Sequence, residues 1–442
     1  MAKPSATDIN KIFYTTPRDG YKSGNLWIKR KEELDLSNLL DGIGISICID
    51  GPTGTGKSSL AITVLKQKKI DFLLVQVTKN MTWKDFCKML INTKVMETDT
   101  MDIGIDTGID KGLPIFKIHF GIKSDNDPLK ALDYEEKIVN KLNDHEICSI
   151  LKKKELTLII DDFERASDDI LSNVAEMCKL LTLSYISIKT RLVIVGTDDI
   201  YLRLTHFNKS LEGRLKEISL GTIDNKHESW NFLNDGLDRL QLKHPRLEYN
   251  KNKNYISKEE IQEIKESCFD AADGLLKSLN ELGVEIATES TINLRVSKSS
   301  ILKVCKLYVE RNIRRFTQDY PKIFNLIQGN AVIKELVIYL YIKGIGRIHK
   351  WDDINVHFEN SFDLTQIDNA ISQLVEIDFL TRTGYKGEVL FVTNPTLAHT
   401  IGAVINNPTK YKAPRSFLTE SNQFVLPFLF KNEISEENDL IS

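Results

Sequence analysis

The chain lacks any apolar run close to the ~20 residues that a membrane-crossing helix needs. Its first residues, MAKPSATDINKIFYTT, contain no apolar core of the kind a secretory leader carries. No membrane association is expected, and the sequence reads as cytoplasmic. Cysteine is scarce, with six in 442 residues (Cys48, Cys87, Cys148, Cys178, Cys268, Cys305), and no two stand in CxxC spacing. That excludes zinc ribbons and dithiol redox motifs, so free thiols in a reducing compartment are expected. Neither sign of charge dominates. The 59 Lys and Arg against 62 Asp and Glu leave a net charge of -3, which excludes a chain-wide nucleic-acid footprint. One local absence is sharper. Between Lys350 and Arg382 there is no Lys or Arg, whereas Asp352, Asp353, Glu359, Asp363, Asp368, Glu376 and Asp378 fall in or beside that stretch.

What is present is an ordinary globular composition, 41% hydrophobic and 27% charged, long enough for two to three domains. Residues 1–40 read as a polar N-terminal lead-in that ends in an amphipathic helix from about Lys31. From 41 to 223, short apolar runs alternate with helical patterns. IGISICID, DFLLVQV, ELTLIIDD, TRLVIVGTDD and GRLKEISL are the five strands of a predicted parallel α/β sheet. Residues 98–128, with apolar positions broken by Gly and Asp, suit either an inserted β-hairpin or a plain insertion. From 224 to 325 the strand signal vanishes, and a helical lid domain is predicted. From 326 to 405, three helices and two short strands around Gly384 and Gly387 have the signature of a winged-helix domain. An acidic C-terminal tail, 406–442, completes the chain.

The chemistry is concentrated at GPTGTGKSS. Gly51, Gly56, Lys57 and Ser58 match the P-loop spacing, with the required strand before and helix after. Pro52, Thr53, Gly54, Thr55 and Ser59 complete the cradle. Backbone N–H groups at a helix N-terminus favour a phosphate, and glycines let the backbone approach it. Lys57 is expected to meet the β- and γ-phosphates, and the Ser58 hydroxyl to hold Mg²⁺. The expected ligands are therefore ATP and Mg²⁺. LTLIIDD ends an apolar strand in carboxylates, which makes Asp161 the second metal-side group. Asp162 stands where a general base would polarise the attacking water, and Glu164 is the other candidate. Thr197 or Asp198, at the end of the fourth strand, could sense the γ-phosphate or simply cap the strand. Arg214, before the fifth strand, suits an arginine finger or a surface ion pair.

Taken in order, WIKRKEELDLSNLL, GPTGTGKSS, LTLIIDDFE, TRLVIVGTDD and LEGRLKEISL resemble the motifs of AAA+ ATPases. The resemblance is to the branch that joins origin-recognition initiators, transposition ATPases and STAND (NB-ARC-like) ATPases, and it covers roughly residues 15–290. It implies that Arg30, in IKRKEEL, helps fix the nucleotide, although the Gly usual before it is Lys29. It also implies a nucleotide contact for CFDAADGLLKSL, read either as a GLPLAL-like segment or as a sensor-2 helix with Lys277 in place of Arg. His399, in NPTLAHT, is at most a loose match to the MHD motif and reads as a core histidine. Asp162 is one methylene shorter than Glu and would position water less well, so slow ATP hydrolysis is expected. A homo-oligomer is expected in the ATP state.

A helix-turn-helix that enters a DNA groove draws its phosphate contacts from Lys and Arg. The segment without them, 351–381, occupies that place here, so a protein contact is expected of the winged helix and DNA is disfavoured there. Arg311, Arg314 and Arg315 in KVCKLYVERNIRRF form the remaining basic face. With no nuclease or other effector pattern in the chain, the expected role is an ATP-driven switch controlling a partner in another chain. The alternative is an ATPase that loads on DNA.

Overall fold

The computed structural model describes residues 3–13, 26–42, 45–96, 102–106, 117–121, 143–182, 190–197, 200–223, 226–242, 258–272, 274–291, 296–345, 349–383, 389–406 and 411. They divide into two compact units. One combines 1–33, 50–63 and 219–442, and the other 34–49 and 64–218.

The second unit is built on a five-stranded parallel sheet. Its strands are β1 (Ser46–Asp50), β2 (Phe72–Gln76), β5 (Thr157–Asp161), β6 (Leu192–Val195) and β7 (Leu215–Ser219), in the order β2-β5-β6-β1-β7. The last residue of β1 and the last of β7 belong to the first unit. Register is fixed by Ile47 opposite Val193, Leu158 opposite Leu192 and Leu74 opposite Ile159. The sequences explain the order. SICID, TLIID and LVIV are buried at every position and form the centre, whereas FLLVQ and LKEIS carry exposed residues and form the edges. Helices α2 (Lys31–Asp41), α4 (Trp83–Met96), α5 (Asp144–Lys153), α6 (Asp168–Thr182) and α7 (Ile200–Phe207) alternate with the strands, as does α3 (Lys57–Gln67), which starts in the first unit. The core of this unit gathers Val75, Phe86, Ile160, Phe163, Val174 and Ile194. β3 (Asp102–Asp106) pairs antiparallel with β4 (Lys117–Gly121), so strands do form within 98–128. Residues 107–116 lie outside the described residues.

The first unit is mainly helical: α1 (Ala6–Ile12), α8 (Lys226–Arg239), α9 (Lys258–Ala272), α10 (Leu276–Ser290), α11 (Lys298–Asp319), α12 (Pro321–Gly329) and α13 (Ala331–Lys343). It continues through β8 (His349–Lys350), α14 (Trp351–Phe358), α15 (Leu364–Glu376), β9 (Leu380–Thr383), β10 (Val389–Val392) and α16 (Pro395–Asn406). β8, β10 and β9 form a three-stranded antiparallel sheet, with Leu390 opposite Arg382 and Val389 opposite Lys350. The turn around Gly384 and Gly387, and the tail apart from Asn406 and Tyr411, lie outside the described residues.

The N-terminal lead-in differs from its polar reading. α1 is closed by a capping box between Ser5 and Asp8 and delivers Phe13, 1% exposed, into the helical core. A Cβ on Gly236 of α8 or Gly283 of α10 would come within 2.1 and 2.4 Å of that ring. Ile9 and Phe13 are a helical turn apart among polar neighbours, too short a pattern to reveal an amphipathic helix.

All six cysteines are free and buried. Burial pushes the thiols of Cys87, Cys148 and Cys178 up to about 12. A raised thiol favours the folded protein fully below its unfolded value, about 8.5, and that share is lost as pH rises toward the folded value. Native protein is expected to resist iodoacetamide at pH 8, to react fully in denaturant, and to unfold at lower urea at pH 10 than at pH 8. Rapid alkylation of native Cys148 or Cys178 would contradict this.

Candidate functional site

The loop between β1 and α3 belongs to the first unit. Thr55 turns its hydroxyl back to donate to the Pro52 carbonyl at 2.9 Å. Lys57, the first residue of α3 and 9% exposed, donates through Nζ to the carbonyls of Gly51 (2.7 Å) and Pro52 (2.9 Å). The ammonium therefore closes the cup formed by the loop backbone. Gly51 has φ +134°, and a Cβ there would lie 2.2 Å from the Leu220 carbonyl oxygen. Leu220 in turn donates its N–H to the Asp50 carbonyl at 2.9 Å. Only glycine fits this crossing. Thr53 is exposed, and Ser58 and Ser59 are half-buried in the first turn of α3.

The loop is also tied to α10. The N–H of Lys277 donates to the Gly54 carbonyl at 3.1 Å. A Cβ on Gly54 would lie 3.1 Å from Cβ of Lys277, and one on Gly56 2.8 Å from Cδ1 of Leu276. Arg30 lies beside the same segment of chain. Its guanidinium donates to the Gly221 carbonyl at 2.9 Å, and its own N–H donates to Glu33 Oε1 at 2.8 Å. The Trp27 indole donates to the same carboxylate oxygen at 2.9 Å.

The carboxylates lie at the end of β5 in the other unit. Asp161 is buried, and its Oδ1 accepts the N–H of Asp162 at 3.0 Å. Asp162 adopts φ +53°, a left-handed conformation that Asp tolerates better than most residues, and its Oδ2 accepts Gln76 Nε2 at 2.7 Å. Glu164 sits in a single 3-10 turn, Phe163–Arg165. Its carboxylate rests against Gly196, where a Cβ would come 2.7 Å from Oε2. Arg203 braces the turn, donating to the carbonyls of Glu164 (3.0 Å) and Ala166 (3.1 Å). Gly196 donates to the Ile49 carbonyl at 3.1 Å, and Thr197 follows it half-buried. Asp198 lies outside the described residues. Arg214 is half-buried before β7, and its carbonyl accepts the N–H of Ser46 at 3.1 Å.

A parallel sheet in which β6 lies between β5 and β1, with a glycine loop leaving β1 into a helix and carboxylates ending β5, has one reading. The fold is that of a P-loop NTPase. Residues 44–204 match the family model described as an AAA domain. The chain is similar to a Walker-type ATPase of Pyrococcus abyssi, with 14% identity over 88% of this chain and 99% of that one and a TM-score of 0.50. The ORC2 protein of Aeropyrum pernix, in its ADPNP–ADP complexes, matches at 12% identity, 88% and 94% coverage and a TM-score of 0.46. Cdc6p of Pyrobaculum aerophilum matches at 16% identity, 92% and 99% coverage and a TM-score of 0.37.

Within the P-loop unit, the structure brings Gly51–Ser59 together with Lys277. Within the sheet unit, it brings Glu164 against Gly196 and Asp162 against Gln76 and Asp161. Sequence reasoning passed over Gln76, Arg203, Trp27 and Glu33. Gln76 left one trace, as the lone polar side chain ending an otherwise apolar strand. The others work through backbone carbonyls or through each other, which no spacing encodes. His399 is a buried core residue: its ring hydrogen-bonds the Asp270 carbonyl and packs 5.1 Å from the Tyr341 ring.

Proposed function

We propose that this chain binds ATP with Mg²⁺ and hydrolyses it, and that the nucleotide acts as a conformational and assembly switch controlling a protein partner. The observation that carries this reading is the bond from the Lys277 N–H to the Gly54 carbonyl. A phosphate taken up by the loop changes the same backbone that holds the first turn of α10, so occupancy and the position of the lid are linked. The residues fit such a ligand. The loop is kept free of side chains where α10 and the Leu220 carbonyl approach it, and its lysine is poised among backbone carbonyls. Gly51, Pro52, Thr53, Gly54, Thr55, Gly56, Lys57, Ser58 and Ser59 would hold the phosphates, with Arg30 and Lys277 flanking them. Ser58 and Asp161 would supply the metal ligands. The metal would neutralise charge on the transferred phosphoryl group.

Asp162 is the proposed water-positioning group, held by Gln76. Thr197 is the proposed phosphate sensor and Arg214 the proposed arginine finger toward a neighbouring copy. The segment 326–405 serves in this reading as a winged-helix module for protein contact. General-base assistance is worth about 10²-fold or more, so Asp162→Asn is expected to lower kcat by about that factor. Gln76→Ala is expected to alter kcat while leaving KM within about threefold, since it only orients Asp162. Steady-state phosphate release measures both. Unchanged turnover in both Asp162→Asn and Glu164→Gln would remove hydrolysis from this site. The DNA-loading alternative predicts DNA-stimulated turnover with steep salt dependence, and the same assay with added duplex separates the two.

A further inference from the structure

The first unit carries two surfaces of opposite character that the ATPase reading does not use. The outer face of α11 presents Lys303, Leu307, Arg311, Arg314 and Arg315, spaced three, four or one residue apart along the helix and all exposed. Leu307 is 49% exposed, an apolar side chain within a basic stripe. Arg315 lies over the Phe316 ring, and among the described residues no carboxylate pairs with Arg314 or Arg315. The inner face of the same helix packs on α9, α10 and α16, so the basic stripe is what α11 leaves outward.

The second surface is formed by α14, the turn after it and the start of α15. Asp352, Asp353, Glu359 and Asp363 are exposed around Val356 (65% exposed) and Leu364 (56%). Arg382, the nearest cation in sequence after this stretch, is already engaged: it pairs with Asp368 at 2.8 Å and lies 5.3 Å over the Trp351 ring. Among the described residues, no Lys or Arg forms an ion pair with Asp352, Asp353 or Glu359. The surface is therefore predominantly acidic, with aliphatic side chains between its charges. Its cationic edge is Lys350, exposed at the N-cap of α14, and the exposed His357 lies on the same helix.

We infer that the chain assembles head-to-tail with a second copy of itself, the basic stripe of α11 in one copy seating on the acidic, aliphatic-centred surface of α14 and α15 in the next. Leu307 would meet Val356 and Leu364, while Arg314 and Arg315 meet the carboxylates. Opposed charge fields steer and register such a contact, and the apolar centre holds it. Two different patches on one chain make a heterologous contact, which closes into a ring or extends as a filament. Lys303 and Arg311 pair with Glu289 and Glu285 of α10, so among the described residues Arg314 and Arg315 are the stripe's cations left for the partner's carboxylates, and duplex DNA is the competing occupant that the test separates. The inference names a surface for the self-assembly contained in the proposed function. It rests on that reading, and the contact itself uses no residue of the phosphate loop or of the carboxylate cluster.

The test is charge exchange on the full chain. One variant carries Arg314→Glu and Arg315→Glu, and the other Asp352→Lys and Glu359→Lys. Sedimentation velocity is run on each variant and on the equimolar mixture at low and high salt, with and without ATP. Each variant alone is expected to remain monomeric at concentrations at least tenfold above those at which the unaltered chain assembles. The mixture is expected to reassemble, because each reversed patch now finds its complement. High salt is expected to disperse both assemblies. Three results would each overturn the inference: variants that assemble like the unaltered chain, a mixture that stays monomeric while both variants show native circular dichroism, and duplex DNA binding lost in the arginine variant with assembly unchanged. Phosphate release from the same samples reports separately on the ATPase reading, so failure of one is distinguishable from failure of the other.

Discussion

Lys57→Ala is expected to weaken ATP binding by about 10²-fold or more and to bring turnover to background. The Lys57 ammonium is nearly enclosed, and the carbonyls of Gly51 and Pro52 are hydrogen-bonded to it. It is thus held at the mouth of a loop that Leu276 and Lys277 of α10 approach at Gly56 and Gly54. Hydrogen bonds to a charged partner contribute about 1.5–3 kcal/mol each, so losing the contacts of one ammonium to two phosphates costs about 3 kcal/mol or more. At about 1.4 kcal/mol per decade, that is about two orders of magnitude in affinity. Titration with a fluorescent ATP analogue, with circular dichroism confirming the fold, measures the effect. A dissociation constant within about threefold of the unaltered protein would remove the lysine, and with it the loop, from the binding site.

Gly274→Ala is expected to be a strongly destabilising single-methyl change in the first unit. Gly274 has φ +62°, and a Cβ there would lie 2.1 Å from the Ile223 carbonyl oxygen. The Ile223 N–H donates to the Gly274 carbonyl at 3.1 Å, so the two strands of backbone cannot separate without breaking that bond. The left-handed conformation costs a non-glycine residue about 1–2 kcal/mol, and loss of the bond with the forced displacement brings the total to about 3 kcal/mol or more. A melting temperature lower by about 10 °C is expected, at about 2–4 °C per kcal/mol. The substitution lies three residues before Lys277, so it is also expected to weaken ATP binding several-fold by moving the first turn of α10 off Gly54. Differential scanning calorimetry and the same titration read the two effects. A melting temperature shifted by less than about 2 °C would show that the backbone here yields freely.

Much of the sheet was legible because burial writes itself into composition. A strand covered on both faces must be apolar at every position, and SICID, TLIID and LVIV show that directly. The glycine loop was legible for the opposite reason, since its spacing is dictated by backbone geometry and not by packing. The carboxylate pair was legible as residues but not as roles. DD alone does not say that Asp162 turns left-handed onto Gln76 while Glu164 folds back against Gly196. Those directions depend on Gln76, more than eighty residues upstream, and on Arg203, nearly forty downstream of Glu164. α1 was missed because three apolar side chains in a polar stretch carry too little periodicity. What makes the helix is the cavity that two distant glycines leave for Phe13.

The sequence by itself determined the fold class of this protein. A phosphate loop needs glycines, a lysine and a hydroxyl at fixed spacing, and continuous apolar runs need a two-sided sheet. Both are local requirements, and local requirements survive in a one-dimensional string. The tertiary structure alone decided that the loop is fastened to α10 through the Gly54 carbonyl and that Arg382 is spent within the C-terminal module, leaving the α14–α15 surface acidic. Such pairings join residues tens to hundreds of positions apart through backbone atoms and side-chain directions, which the order of residues does not record.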